Sequence, residues 1–262
     1  MQRDKIGRDF ALKKINSQDF LEMQKKSDVI FDNSTSLENL EKKVEIALKN
    51  IFKIIGIIIL AFVMVVIISF SIVAYQTSRQ KIAYQEEIEK YSQKYNVDPL
   101  LIASIIKVES DFDTEAHSSQ NAMGLMQLLD SSAKHSAEII GEEYYPDKLK
   151  EVDYNLNLGV GYFKYLNEYY NNVDLALSAY NGGIGNIDKL IADKKIDKHD
   201  PDPTKIPTKE TRQYVIKINS NYDLMKVFYD DGLPSKEELK DRKSLSIKNY
   251  KKFVKKILFD VL

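Results

Sequence analysis

One carboxylate in this sequence occupies a position where a carboxylate is out of place. Asp98-Pro99 marks a helix start, since Asp can cap a helix and Pro suits its first turn. In the run from Leu100 to about Glu109, Ile102, Ile105 and Ile106 fall at i, i+3 and i+4 of an apolar stripe, and Glu109 falls at i+7 of the same stripe. Its carboxyl therefore points toward the apolar side. It also stands at the helix C-terminus, where the dipole is negative. Desolvation and dipole both disfavour the anion, so its pKa is expected to rise. A carboxyl with a raised pKa can give up a proton near neutral pH and take one back. The plainer alternative is a glutamate at a helix edge, solvated or paired with Lys or Arg.

Three further blocks could line a site around Glu109. Gly124, in Ala122-Met123-Gly124-Leu125-Met126-Gln127-Leu128, would permit close backbone approach to a ligand. Gln127 can donate and accept hydrogen bonds, as sugar hydroxyls and acetamides require. An apolar helix through Ala176 and Ala179 ends in Gly182-Gly183, which would present Tyr180 and Asn181 at a cleft edge. A last helix opens near Thr208, a candidate cap, and carries Glu210, Thr211, Tyr214 and Val215. Asp111, Asp113 and Glu115 read as a solvated loop and not as a second catalytic acid, and Glu210 reads as support for the helix start.

These blocks together resemble the lytic transglycosylase (SLT) domain, a relative of goose-type lysozyme. The matching pieces, in order, are Glu109-Ser110, Gly124-Leu125-Met126-Gln127, Asn155 with Gly159 and Tyr162, Ala179-Tyr180-Asn181, and Glu210-Thr211 with Tyr214-Val215. The resemblance implies a mainly α, lysozyme-like helical domain with a glycan cleft. It implies Glu109 as the catalytic acid/base, and Gly124, Met126, Gln127, Tyr180, Asn181 and Tyr214 as positions on or beside the substrate. Met126 read from sequence alone is equally a core residue. The family often has Pro where Thr114 stands and Gly where Asn121 stands, and Asn tolerates left-handed backbone better than most residues.

Ordinary glycosidases use two carboxylates. With one, the family chemistry implied lets the N-acetylmuramic acid acetamide and 6-hydroxyl take over the missing roles, giving a 1,6-anhydro sugar without water. Two alternatives stand beside this reading. One is a hydrolytic muramidase on the same fold, which needs a positioned water and a second acid. The other is a non-enzymatic, membrane-tethered scaffold that binds glycan for a secretion, conjugation or division machine. An unused carboxyl on an apolar face is costly, which argues against the scaffold.

The elements that must position these residues follow from composition. The chain has 262 residues, 44% hydrophobic and 29% charged, with a formal net charge of -1. It is large enough for one compact domain with extensions, and its charge gives no bulk attraction to nucleic acid. The absence of cysteine excludes disulfides, thiol nucleophiles and thiolate metal sites. His117, His135 and His199 match no zinc-ligand spacing, so neither metal nor cofactor is expected. With no tryptophan, any aromatic sugar platform must come from the 16 tyrosines and 11 phenylalanines.

Residues 54–75 contain no charged side chain, and roughly 20 apolar residues span a bilayer as a helix. A cleavable signal peptide fits poorly, because about 50 residues precede the run and signal regions are shorter. Lys42, Lys43, Lys49 and Lys53 before it face Arg79, Lys81 and Lys90 after it, a faint inside-positive bias for the N-terminal side. The expected organisation is a cytoplasmic segment at 1–50, a transmembrane helix at 51–75, a juxtamembrane stalk at 76–90, the catalytic domain at 91–232 outside the membrane, and a basic tail at 233–262. In the tail, Ile247, Tyr250, Val254, Ile257 and Val261 share a helical face. That face would touch anionic lipid or wall polymer, or pack on its own domain.

Overall fold

In the computed structural model, which describes residues 36–199 and 201–260, every regular element is helical. Residues 1–35 of the expected segment at 1–50, and Val261, lie outside the described residues. Among the described residues ten α-helices follow in order: α1 (Leu37–Arg79), α2 (Gln85–Tyr95), α3 (Pro99–Glu109), α4 (Asp130–Ile140), α5 (Val152–Tyr170), α6 (Val173–Gly182), α7 (Ile184–Ala192), α8 (Lys209–Phe228), α9 (Lys236–Lys240) and α10 (Arg242–Asp260). Short 3-10 turns lie at Pro146–Lys148 and Pro203–Lys205. Among the described residues the extended pairing is confined to two isolated bridges, His117–Met123 and Met123–Leu128.

The chain divides into two compact units, Met1–Ile68 and Ser69–Leu262. In the first unit the described residues belong almost wholly to α1, which is long and apolar enough to cross a membrane. Its apolar side chains are exposed, Ile58 by 62% and Phe62 by 69%, as no core helix of a soluble protein would leave them. The helix overruns both expected boundaries, 51 and 75: Leu37–Lys53 is rich in good helix formers, and neither it nor Gln76–Arg79 holds a glycine or proline to stop the helix.

The second unit is built around α3. Every residue from Leu100 to Ile106 is buried, Ser104 included, whose hydroxyl donates to the Leu100 carbonyl at 2.7 Å. The stripe of Ile102, Ile105 and Ile106 is therefore part of a helix buried all round, and α3 packs against α8 and α2. Asp98 caps it, accepting from the Leu100 amide at 2.8 Å, with Pro99 in the first turn. Around this axis α5 packs on α2, α4 and α6, and α6 on α7 and α8. Left-handed residues stop three of these helices, Asn96, Gly141 and Asn171. Thr208 occupies the N-cap position of α8, yet its side chain makes no capping bond, unlike the expected role.

One expected segment takes a different form, and the tail takes one of its two expected arrangements. Residues 76–90 are no free stalk: Thr77, Gln80, Ile82, Gln85 and Ile88 are buried. Some of their polar groups are paired internally, for Asn249 donates to the Thr77 hydroxyl at 3.1 Å and Arg242 to the Gln80 carbonyl at 2.9 Å. The tail packs on its own unit. Leu245, Ser246 and Asn249 of α10 are buried, and the helix packs on α8. Of the expected apolar face, Tyr250 and Val254 are half-buried and Ile247 and Ile257 exposed. Polar Ser246 and Asn249 hydrogen-bond within the unit, which hydrophobic periodicity could not reveal.

Candidate active site

A single turn decides the environment of Glu109. It is the last residue of α3, the first turn past the fully buried stretch, and it emerges at the wall of a pocket. The pocket is lined also by Ser118, Ser119 and Gln120, by Gln127 to Leu129, by Ser132, and by Tyr162, Tyr180, Asn181 and Glu210. No lysine or arginine is among these lining residues. Glu109 Oε1 accepts a hydrogen bond from the Tyr214 hydroxyl at 2.6 Å. Burial pushes the carboxyl up from 4.5 to about 7, and the Tyr214 hydrogen bond acts the other way by favouring the anion. The phenols of Tyr180 and Tyr214 are raised well above 10, first by burial and then by the nearby Glu109 charge, so both stay neutral donors.

The loop between α3 and α4 is folded by its own hydrogen bonds. Ser110 Oγ donates to the Leu125 carbonyl at 2.8 Å, and the Gly124 amide to the Ala116 carbonyl at 3.0 Å. Asn155 of α5, fully buried, ties this loop to the segment that precedes α5. Its oxygen accepts from the Met126 amide at 2.8 Å, and its nitrogen donates to the carbonyls of Met123 at 3.0 Å and Leu149 at 2.7 Å. Asn121 has φ of 64°, the left-handed backbone for which Asn is the tolerated substitute for Gly. Gln127 is held at φ of 45°, a costly conformation for a long side chain. Two bonds hold it there, from its Nε2 to the carbonyls of Ala116 at 3.0 Å and Gly124 at 2.9 Å. Its amide oxygen is left to accept from a ligand.

The structure brings Glu109, Gln127, Tyr180 and Asn181 together on one pocket. Tyr214 stands behind Glu109, not on the pocket wall. Tyr180 donates to the Met126 carbonyl at 2.8 Å, so its hydroxyl ties α6 to the loop while its ring lines the pocket. Two expected ligand positions fall elsewhere. Met126 is completely buried, against Gly159 of α5, and serves packing. Gly124 is a glycine for the chain's sake: an added Cβ would lie 2.3 Å from Asn155 Nδ2 and 2.5 Å from the Leu149 carbonyl oxygen.

Glu210 was expected only to support the helix start. It does lie in the first turn of α8, but it is exposed and lines the pocket with Glu109. Its distance from Glu109 in sequence hid this. The serines and Gln120 were missed because an irregular loop has no period to read. By contrast Asp111 pairs with Lys107, and Glu115 with Lys150 at 2.7 Å, away from the pocket as a solvated loop should be. A partly exposed acid lodged among tyrosines, with a donor behind it, can pass a proton to a ligand oxygen and recover one.

Comparison with known proteins gives a concordant result. The family model described as Transglycosylase SLT domain matches residues 86–202. A membrane-bound lytic murein transglycosylase C of Salmonella arizonae is 31% identical over 156 residues, 51% of this chain and 43% of the relative. Its counterpart in Photorhabdus laumondii is 32% identical over 52% of this chain and 45% of its own length. The chain thus spans less than half the length of these curated relatives. Among solved structures, an inactive mutant of the lytic transglycosylase Slt from Pseudomonas aeruginosa superposes with a TM-score of 0.52 at 27% identity, over 58% of this chain and 25% of that one. The 70-kDa soluble lytic transglycosylase of Escherichia coli gives 0.52 at 24% identity, over 59% and 25%, a likeness of fold.

Proposed function

From the match of residues 86–202 to the SLT transglycosylase domain, we propose that this chain is a membrane-anchored peptidoglycan lytic transglycosylase with Glu109 as its single acid/base. The observation that carries the proposal is the Glu109 carboxyl, raised to about 7 by burial at the wall of the pocket. At that value it is substantially protonated at neutral pH and can act in both directions.

In the proposed cycle Glu109 protonates the oxygen that leaves C1 of N-acetylmuramic acid. The sugar's acetamide stabilises the positive C1. Glu109, now a carboxylate, takes the proton of the 6-hydroxyl as that oxygen attacks C1. One bond breaks, one forms, and the proton returns to Glu109. Tyr214 orients the carboxyl through its 2.6 Å hydrogen bond, and the Gln127 amide oxygen is placed to accept from a sugar hydroxyl or acetamide N–H. Exposed Glu210 on the same pocket favours one rival, a hydrolase in which it would position water. Weighing the fragments released from purified peptidoglycan by the full-length protein separates the two. Fragments that carry 1,6-anhydro ends and lack one water support the transglycosylase, and hydrated reducing ends overturn it.

The same reading has α1 cross the membrane once through residues 54–75, with the preceding segment cytoplasmic and residues 76–262 outside, where the polymer is. It also predicts the effect of Tyr214→Phe. Losing a hydrogen bond that favours the anion lifts the Glu109 pKa further above about 7. The alkaline limb of the kcat/KM profile, where Glu109 loses its proton, should move to higher pH by roughly one unit. A limb that stays fixed or moves down would contradict the assigned role of Tyr214.

A further inference from the structure

A second pocket adjoins the one that holds Glu109. Its wall includes Gly182, Lys189, Asp193, Lys195, Thr208 and Thr211. The two pockets share a partition. Asn181 and Glu210 face the first, and the next residue in each case, Gly182 and Thr211, lines the second. Their charges differ. The first carries Glu109 and Glu210 and is lined by no lysine or arginine, whereas the second sets Lys189 and Lys195 against Asp193. Asp193 is paired with Lys195 at 3.5 Å, and Lys189 has no ion pair among the described residues. An acidic group on a ligand would be repelled by the first pocket and drawn to the second.

The open end of α8 stands at this second pocket. Thr208 holds the N-cap position without a side-chain capping bond, and the first bond reaching back runs from the Arg212 amide to the Thr208 carbonyl at 2.9 Å. The amides of Lys209, Glu210 and Thr211 therefore have no backbone acceptor among the described residues. Such a helix start attracts anions. An independent sign comes from Thr211. It is only 3% exposed, yet its hydroxyl has no hydrogen-bond partner among the described residues. Buried hydroxyls are normally paired. Gly182 leaves this one uncovered, since a Cβ there would stand 3.1 Å from Thr211 Oγ1, and both residues line the pocket. The hydroxyl is thus turned to a space where a ligand would supply its partner.

We propose that this second pocket binds a carboxylate of the peptide stem carried by N-acetylmuramic acid, while the sugar itself occupies the Glu109 pocket. The proposal rests on the peptidoglycan reading of the Glu109 pocket and adds a preference for strands that still bear peptide. The stem begins on the lactyl group of the sugar being cleaved, so a pocket just across the partition is within its reach. The carboxylate accepts from the open amides of α8 and from the Thr211 hydroxyl, with exposed Lys189 and Lys195 at the rim.

Two measurements on the full-length protein in detergent micelles test this. The first is independent of catalysis. The dipeptide L-alanyl-γ-D-glutamate is titrated while the amide signals of Lys209, Glu210 and Thr211 are followed by NMR. They should move, and the double variant Lys189→Ala, Lys195→Ala should bind roughly tenfold more weakly. Signals that stay fixed, or that move equally with the uncharged diamide of the dipeptide, overturn the proposal. Inorganic phosphate moving them at lower concentration than the dipeptide identifies a general anion site and overturns the peptide assignment. The second compares kcat/KM on intact peptidoglycan and on the same glycan stripped of peptide by an amidase. The parent should favour intact strands, and the double variant should lose most of that ratio through KM. A parent ratio of one, or a ratio unchanged in the variant, overturns the proposal and leaves the transglycosylase reading standing. A parent that turns over neither glycan overturns that reading, and the substrate assignment with it, whatever the titration shows.

Discussion

Glu109→Gln is expected to lower peptidoglycan turnover by about a thousandfold or more, since general acid–base catalysis supplies roughly 10²–10⁴ and here one group serves two steps. The substitution keeps the shape and keeps an oxygen to accept from Tyr214. It removes only the proton traffic. A simultaneous gain in stability is expected, and its sign follows from the raised pKa. A carboxyl whose folded value, about 7, lies above its ordinary 4.5 favours the folded state when protonated. As pH rises from 4.5 through 7 the ionised, desolvated form makes folding less favourable, and glutamine escapes this. The variant should therefore match the parent near pH 4 and exceed it at pH 8. With Glu109 partly exposed at the pocket wall, the gain should be about 1–3 kcal/mol. Chemical denaturation at the two pH values, beside the turnover assay, checks both halves. Retained turnover would sink the catalytic assignment.

The largest structural effect is expected from Gly124→Ala. The new Cβ would meet Asn155 Nδ2 at 2.3 Å and the Leu149 carbonyl oxygen at 2.5 Å, at a residue whose φ is 76°. Neither neighbour can yield cheaply. Leu149 presents backbone, and Asn155 is fixed by three hydrogen bonds, two to the loop and one to the Leu149 carbonyl. Loss of that amide leaves buried backbone groups unpaired, so a cost of about 3 kcal/mol or more is expected, with the pocket loop displaced. Gly141→Ala is the comparison. It has nearly the same φ, 73°, and nothing within 4 Å of the added carbon, so it should cost only about 1–2 kcal/mol. Equal losses of thermal stability in the two variants would show that steric contact at Gly124 is not the cause.

The helices and the main acid were legible because both depend on local rules. Asp98-Pro99 announced a helix, and the phase of its isoleucines put Glu109 on the apolar side. Asn121 was legible as a left-handed position because few residue types tolerate one. What escaped depends on contacts between distant residues. Glycine at 124 signals that space is short without saying whether a ligand or the chain occupies it, and here Asn155 does. Met126 carries no mark that separates packing from binding. Glu210 looks like any acid in a helix's first turn until α8 folds beside α3. The burial of Ser246 and Asn249 in α10 was hidden because a hydrophobic pattern scores both as exposed.

The account stands most directly on the proton affinity of one side chain. Following the Glu109 carboxyl carbon by NMR across pH, with Glu109→Gln to assign its signal, should give a midpoint near 7 in the free protein. A midpoint near the ordinary 4.5 would mean that the carboxyl is solvated, and would contradict the proposal that Glu109 serves as both acid and base.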